Sequence, residues 1–222
     1  MKTDAQLQKD VENAIKWEPL LNTAEILVAA SGGFVSLSGA VDSYAKKLEA
    51  ENAAKKVMGV KNLIENIEVR FANSWTRSDA EITSAVLSSL NANWVIPNGK
   101  VTVSVEDGWV TLEGVLSWNY QREASKNSVA YLIGVKGITN NIIIQSDIHD
   151  TIDKRFVEDA ISRCWSLDSN NIQVTVLGTL VTLSGRVNSL YQREEAGRIA
   201  WKTPGILSVS NDLKVEDEIT FS

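Results

Sequence analysis

The sequence of 222 residues contains one cysteine, one histidine and three prolines. With a single thiol, Cys164 has no partner for an intramolecular disulfide, and no cysteine-rich zinc site can form. With a single imidazole, His149, chemistry that requires two histidines is excluded. No apolar run approaches the roughly 18–20 residues of a membrane-spanning helix. We therefore expect Cys164 to be a core residue of a globular domain and His149 to be a hinge or surface residue in a linker.

The charge balance argues against a general nucleic-acid-binding protein. The chain has 22 basic and 28 acidic residues, a formal charge of −6, and no third of it carries a basic surplus. A general nucleic-acid binder needs a basic face. The first residues lack the apolar stretch of a signal peptide, which predicts a cytoplasmic protein. If a signal peptide has been removed from the sequence, the protein would instead be periplasmic. The sequence leaves the oligomeric state open.

One sequence pattern occurs three times along the chain. The segments that align without gaps are Gly33–Val41, Gly108–Leu116 and Thr179–Val187. Each contains one glycine at the same place, and we name these the key glycines: Gly39, Gly114 and Gly185. A second glycine follows each of them by twenty residues, at Gly59, Gly134 and Gly205. The spacing predicts three domains, over residues 1–72, 73–148 and 149–222.

Periodicity predicts the same order of elements in every repeat. Apolar residues alternate with polar ones on both sides of a two-residue break, such as Asp107-Gly108, which predicts two strands joined by a type I′ hairpin. Apolar residues four apart, such as Ile82 and Val86, predict a helix before the hairpin. Ser78 and Glu81 predict a capping box at its start. A second helix is predicted after each key glycine, over Tyr44–Met58, Trp118–Ile133 and Leu190–Trp201.

These elements predict an α+β fold of three tandem α-β-β-α-β units. Each unit is expected to be a three-stranded mixed sheet with two helices packed on one face. Units of this size bury only about 60% of their extended-chain surface, so we expect the three to pack on one another. The key glycine lies two residues from a buried apolar residue on either side, and residues two apart in a strand face the same way. It is therefore predicted to point at the helices, and either to admit a helix backbone or a large side chain or to bend the strand.

The repeated motif Val-x-Leu-x-Gly-x-Val, with a following helix and a Gly-Val turn, resembles the BON domain of bacterial osmotic-stress and nodulation proteins. Its copies are Val35–Val41, Val110–Leu116 and Val181–Val187. The resemblance covers nearly the whole chain, with Leu116 and Ile206 as mild departures from the pattern. It implies a non-enzymatic binding module without a cofactor. It also implies association with the bacterial envelope, osmotic stress and phospholipid contact, and export to the periplasm as in most relatives.

Motifs for catalysis are absent from the sequence. It contains no nucleotide-binding glycine loop, no nucleophile elbow and no paired metal-ligand motif, which predicts neither an enzyme nor a bound cofactor. Acidic residues are not expected to recur at fixed repeat positions, as a repeated metal site would require. An alternative hypothesis is a cytoplasmic ion-responsive or scaffold protein. In that case backbone carbonyls of the turns would coordinate K⁺ or Ca²⁺, without a side-chain signature.

Aromatic residues supply the candidate contact sites. One set, near the ends of the first helices, is interpreted as caps of the core: Trp17, Trp94 and Trp165. A second set is predicted on the sheet face away from the helices, where it would pack between repeats or meet a partner or lipid surface: Phe34, Trp109 and Leu180. A third set lies at the start of the second helices: Trp118, Tyr120, Arg122, Tyr191 and Arg193. These residues would hold a lipid headgroup or phosphate, or simply cover the hairpin end.

Overall fold

The computed structural model describes residues 2–22, 24–71, 76–145 and 152–216. Within them every repeat has the predicted order of elements, which confirms the α+β fold. The first repeat contains α1 (Asp4–Lys16), β1 (Glu25–Ser31), β2 (Phe34–Val41), α2 (Tyr44–Lys55) and β3 (Asn62–Val69). The second contains α3 (Asp79–Ala92), β4 (Val101–Glu106), β5 (Trp109–Leu116), α4 (Asn119–Val129) and β6 (Gly137–Ile144). The third contains α5 (Lys154–Ser162), β7 (Ile172–Leu177), β8 (Leu180–Val187), α6 (Leu190–Trp201) and β9 (Ser208–Val215).

Each sheet has three strands, and the second strand of the repeat lies in the middle. In the second repeat β5 runs antiparallel to β4 and parallel to β6. The third repeat has the same arrangement and the same register, because Gly114 pairs with Val101 and Gly185 pairs with Ile172. The mixed sheet is thus as predicted. His149 and most residues of the two linkers lie outside the described residues.

The hairpin turn of the third repeat differs in backbone conformation from the turns of the other two. Asp107 and Gly108 both have positive φ, +50° and +79°, as a type I′ turn requires, and both residues of Gly32-Gly33 do so too. In the third turn only Gly178 has positive φ, which is the pattern of a type II′ turn with glycine first.

The first helices bury the apolar face that the spacing predicts. Their buried residues are Leu7, Val11 and Ile15 in α1, Ile82, Val86 and Leu90 in α3, and Val157 and Ile161 in α5. Helix α5 begins later than the other two because Asp153 stands where they have an apolar residue, and it caps the helix instead, accepting from the Arg155 N–H. Ile152, just before this cap, is buried in the third core. Of the second helices, α2 and α4 end earlier than predicted.

The close approach predicted at the key glycines is present, but the neighbour is not a helix. A Cβ on Gly114 would lie 2.1 Å from the carbonyl oxygen of Lys100, and a Cβ on Gly185 would lie 2.1 Å from that of Asn171. Both glycines have positive φ, +145° and +120°. The prediction that they point at the helices is therefore wrong, since the space is taken by the backbone that leads into the first strand of the hairpin.

The chain divides by internal contacts into two compact units. One comprises Met1–Gly39, Leu48–Ile67 and Ile148–Ser222, and the other comprises Ala40–Lys47 and Glu68–Asp147. The first unit thus unites the third repeat with most of the first. Within it the Gly59 N–H donates to the Asn188 carbonyl at 3.3 Å, and the Lys55 ammonium lies 2.9 Å from the Glu194 carboxylate. The packing expected between repeats is therefore seen between the first and the third.

Candidate functional site

The aromatic pair predicted at the start of the second helix comes together in the second repeat. The Trp118 and Tyr120 rings stack, with centroids 6.4 Å apart and planes 20° from parallel. The Trp118 N–H donates to the side-chain oxygen of buried Gln121 at 3.2 Å, which fixes the start of α4. In the third repeat Ser189 replaces the tryptophan and caps α6, accepting from the Gln192 N–H at 3.2 Å. The aromatic pair is therefore particular to the second repeat.

The arginines predicted to hold a phosphate are partly engaged in the fold. The Arg193 guanidinium donates to the Asn211 carbonyl at 2.9 Å, and the Asn211 amide donates back to the Arg193 carbonyl at 2.6 Å. In the second repeat the Asn140 amide donates to the Arg122 carbonyl at 3.1 Å. These bonds tie α4 to β6 and α6 to β9. They give Arg193 a structural contact, while Tyr120 and Tyr191 stay exposed on their helices.

The predicted set on the outer sheet face is exposed or partly exposed, and Trp109 contacts its own sheet. The Trp109 indole N–H donates to the Thr139 hydroxyl at 2.8 Å on β6. Its ring covers Gly137, where a Cβ would lie 2.6 Å from a ring carbon. The third repeat pairs a smaller side chain with a residue that has a Cβ, since Leu180 is in register with Ser208. Trp109 is therefore accommodated by Gly137 within one sheet.

The tryptophans interpreted as core caps are instead the most exposed large apolar side chains of the described chain. The exposed fractions of Trp17, Trp94 and Trp165 are 89%, 92% and 96%. The core prediction is wrong because the helices end before these residues. Helix α3 ends at Ala92 and Asn93 is extended, so Trp94 does not continue the face of Leu90. Trp165 comes three residues after the end of α5.

An aspartate that was not predicted as a site residue recurs 35 residues before each key glycine. The Asp79 carboxylate accepts from the Gly108 N–H at 2.8 Å and from the Asp107 N–H at 2.9 Å. Asp4 likewise accepts from the Gly32 N–H at 2.8 Å. The third copy, Asp150, lies outside the described residues. The expectation that acidic residues do not recur is therefore wrong, but the role of Asp4 and Asp79 is to hold the hairpin turn against the first helix.

The groups with shifted pKa values among the described residues lie at the protein surface. Within the described ranges no three histidine, cysteine or acidic side chains gather as a metal site would require. Hydrogen bonds from Arg70 lower the pKa of Glu68, and those from Arg155 lower the pKa of Asp153. Cys164 is half-buried at the edge of the third core, with its Sγ 3.2 Å from the Ser166 hydroxyl.

The repeated hairpin, key glycine and crossover helix match a known family. The model of the BON domain matches residues 3–70, 78–146 and 149–217. The chain is a member of the BON domain family. Its three BON domains thus account for almost the whole sequence. No helix among the described residues of this BON protein has the length and apolar character needed to cross a membrane.

The BON chain is similar to a curated protein, the osmotically-inducible protein Y of Escherichia coli (strain K12). The two are 28% identical over 143 residues, which is 63% of this chain and 71% of that protein. Among solved structures it aligns with CdsD, a structural protein of the type III secretion system of Chlamydia trachomatis, at 15% identity and a TM-score of 0.26, covering 94% of this chain and 91% of that one. The C-terminal domain of CdsD aligns at 16% identity with the same TM-score, covering 97% of this chain and all of that domain.

Proposed function

We propose that this BON protein is a non-catalytic, envelope-associated stress protein that binds anionic phospholipid surfaces through Trp17, Trp94 and Trp165. The observation that carries the proposal is the exposure of these three side chains, each close behind the first helix of its repeat. Indole rings favour the boundary between headgroups and acyl chains, because they are apolar over most of their surface and polar at the N–H.

Local charge supports the choice of an anionic surface. Although the chain is acidic overall, Lys16 immediately precedes Trp17, and Arg163 lies two residues before Trp165. Both basic residues are exposed. A cation beside an interfacial indole adds attraction to anionic headgroups. The role in osmotic stress is supported by the similarity to the osmotically-inducible protein of E. coli.

Vesicle flotation tests the membrane proposal. The wild-type chain is expected to float with vesicles of phosphatidylglycerol and phosphatidylcholine and to stay behind with pure phosphatidylcholine. Each Trp→Ala substitution at positions 17, 94 and 165 should weaken binding by about tenfold, because the apolar contact of one indole with lipid is lost. A matched control is the triple variant L27A/Y131A/L177A, which removes other largely exposed apolar side chains and should float like the wild type.

Other results of the flotation experiment would place the membrane contact at different residues or show that the protein does not bind membranes. If the triple variant W17A/W94A/W165A floats like the wild type while Y120A/Y191A does not float, the membrane contact lies at the start of the second helices. If the wild-type chain never floats with anionic vesicles, the membrane proposal is wrong. A rise in melting temperature with K⁺ but not with Na⁺ would favour the ion-responsive alternative. An ion that binds the folded state stabilises it, and a difference between the two salts would show that K⁺ binds specifically.

A further inference from the structure

A cleft lies between the two helices of the third repeat, and its floor is apolar. Its volume is about 610 Å³, which is within the usual range for small-molecule sites. Phe156 and Ala160 of α5 and Ile199 of α6 line it, together with Cys164 just after α5. Phe156 is largely exposed although it faces this cleft. The floor therefore offers apolar surface that the repeat itself leaves uncovered.

Basic side chains dominate the rim of the cleft. Arg163, Arg198 and Lys202 line it, with Glu195 as the single acidic neighbour. Glu195 is bonded to Arg198, whose Nε lies 2.8 Å from a carboxylate oxygen, and these hydrogen bonds raise the pKa of the arginine. Arg163 and Lys202 are exposed, and neither forms a salt bridge within the described part of the chain. The rim thus keeps two uncompensated positive charges on a protein of net charge −6.

In the second repeat hydrogen bonds cross the corresponding groove. Ser89 and Asn93 stand where the third repeat has Ala160 and Cys164, counted from the key glycine. The Ser89 hydroxyl donates to the Ser128 carbonyl at 2.8 Å, and the Asn93 amide donates to the Ser128 hydroxyl at 3.0 Å. Polar side chains therefore link the two helices of the second repeat.

In the first repeat a charged pair crosses the groove. Glu18 stands at the position of Cys164 and Lys56 at that of Lys202, and their charged atoms lie 3.9 Å apart. The third repeat has replaced these linking groups with apolar ones and kept the cation. The lining of its cleft therefore differs from that of the corresponding grooves in the other two repeats.

We propose that the α5–α6 cleft binds a single-chain lipid anion, a fatty-acid carboxylate. The alkyl chain would lie on Phe156, Ala160 and Ile199, and the carboxylate would meet Arg163 and Lys202. An apolar floor with two unpaired cations at its edge matches an amphiphile that carries one negative end. This site goes beyond attachment to a membrane surface, since its ligand is a single molecule in solution.

Cys164 provides a site-specific measurement, because it is the only cysteine of the chain and lines the cleft. The rate of its alkylation by N-ethylmaleimide is measured without vesicles, with sodium decanoate below its micelle concentration. Decanoate is expected to slow alkylation in a saturable manner. Acetate, which lacks the chain, and decyltrimethylammonium, which has the opposite charge, should leave the rate unchanged. Equal protection by the cationic amphiphile, or no protection by decanoate, would overturn the proposal.

Matched charge variants locate the anion. Arg163→Glu and Lys202→Glu should each raise the decanoate concentration needed for protection by about tenfold, because a charge-assisted contact is lost. Lys56→Glu is the control, because it changes the corresponding lysine of the first repeat and should leave protection intact. Ala160→Phe, which fills the cleft, should abolish the binding of decanoate, as measured by calorimetric titration. Unchanged protection in both Lys202→Glu and Arg163→Glu would show that the rim does not hold the carboxylate.

Discussion

The second and third repeats have the same sheet register and the same strained glycine, yet their two helices meet in different ways. Polar bridges through Ser128 link α3 to α4, whereas α5 and α6 enclose a cleft with an apolar floor. The backbone contact at Gly114 and Gly185 is the same to within 0.1 Å. Backbone geometry is thus the same in these two repeats, while the residues between their helices differ. Binding specificity is therefore expected at the helices.

The largest expected loss of stability comes from replacing the key glycines, whose backbone contact is the same in both repeats. Gly114→Val and Gly185→Val should each destabilise their own repeat by about 3 kcal/mol, because the residue has positive φ and its Cβ would overlap a backbone carbonyl. Hydrogen exchange of the strand amides in each repeat measures the loss locally.

Gly99→Ala is the control for these substitutions. Gly99 has φ of +72°, but a Cβ there meets nothing within 4 Å, so the cost should be only about 1 kcal/mol. If Gly114→Val cost no more than this control, the carbonyl contact would not be what requires glycine. Clearly unequal costs at Gly114 and Gly185 would break the claim that both repeats share one backbone solution.

A smaller loss of stability is expected where the sheets of the second and third repeats differ, at Trp109 and Gly137. Gly137→Ser should cost about 1 kcal/mol, because the new Cβ displaces the Trp109 ring and weakens its bond to Thr139. The double variant W109L/G137S copies Leu180 and Ser208 of the third repeat and should recover most of that loss. Chemical denaturation measures the coupling between the two positions. Additive losses in the double variant would show that the ring and the glycine are independent.

The smallest effect concerns the helix starts and pH. Hydrogen bonds from the Ser78 backbone N–H and hydroxyl lower the pKa of Glu81, and hydrogen bonds from Arg155 lower the pKa of Asp153. A depressed folded-state pKa means that the contribution is present above the unfolded pKa and is lost as the pH falls through the folded value. Glu81 is exposed and Asp153 is partly exposed, so the change in stability should be small.

Carboxyl NMR titration measures this last effect. Ser78→Ala should raise the pKa of Glu81 part of the way, because one of its two donors is lost, and should leave that of Asp153 unchanged. Ser88→Ala, on the exposed side of the same helix, is the control and should change neither pKa. An ordinary pKa for Glu81 in the wild-type chain would contradict the capping box.

Much of the fold could be predicted from the sequence because its signals are local. The alternation around Val110 and Leu112, the apolar spacing of Ile82 and Val86, and the Ser78–Glu81 box each depend on neighbours within a few residues. Copying the pattern three times removed most of the ambiguity. The family followed from the same residues. The turn of the third repeat and the late start of α5 were missed, because Thr179 and Asp153 depart from the other copies.

The candidate sites were harder to predict because contact and exposure depend on where elements end. Trp94 has the spacing of a core residue, and only the end of α3 two residues earlier moves it into solvent. The recurring aspartates could have been found by aligning the repeats further upstream. The bond from Gly108 to Asp79, across 29 residues, could not.

The three repeats, the order of helices and strands, the buried faces and the BON family follow from the sequence alone, since periodicity and turn chemistry act along the chain. What the key glycines touch, the exposure of Trp17, Trp94 and Trp165, and the cleft between the helices of the third repeat follow only from the three-dimensional packing. These properties arise from the approach of backbone segments that are distant in sequence. An approach of that kind leaves no periodic trace in the residues that make it.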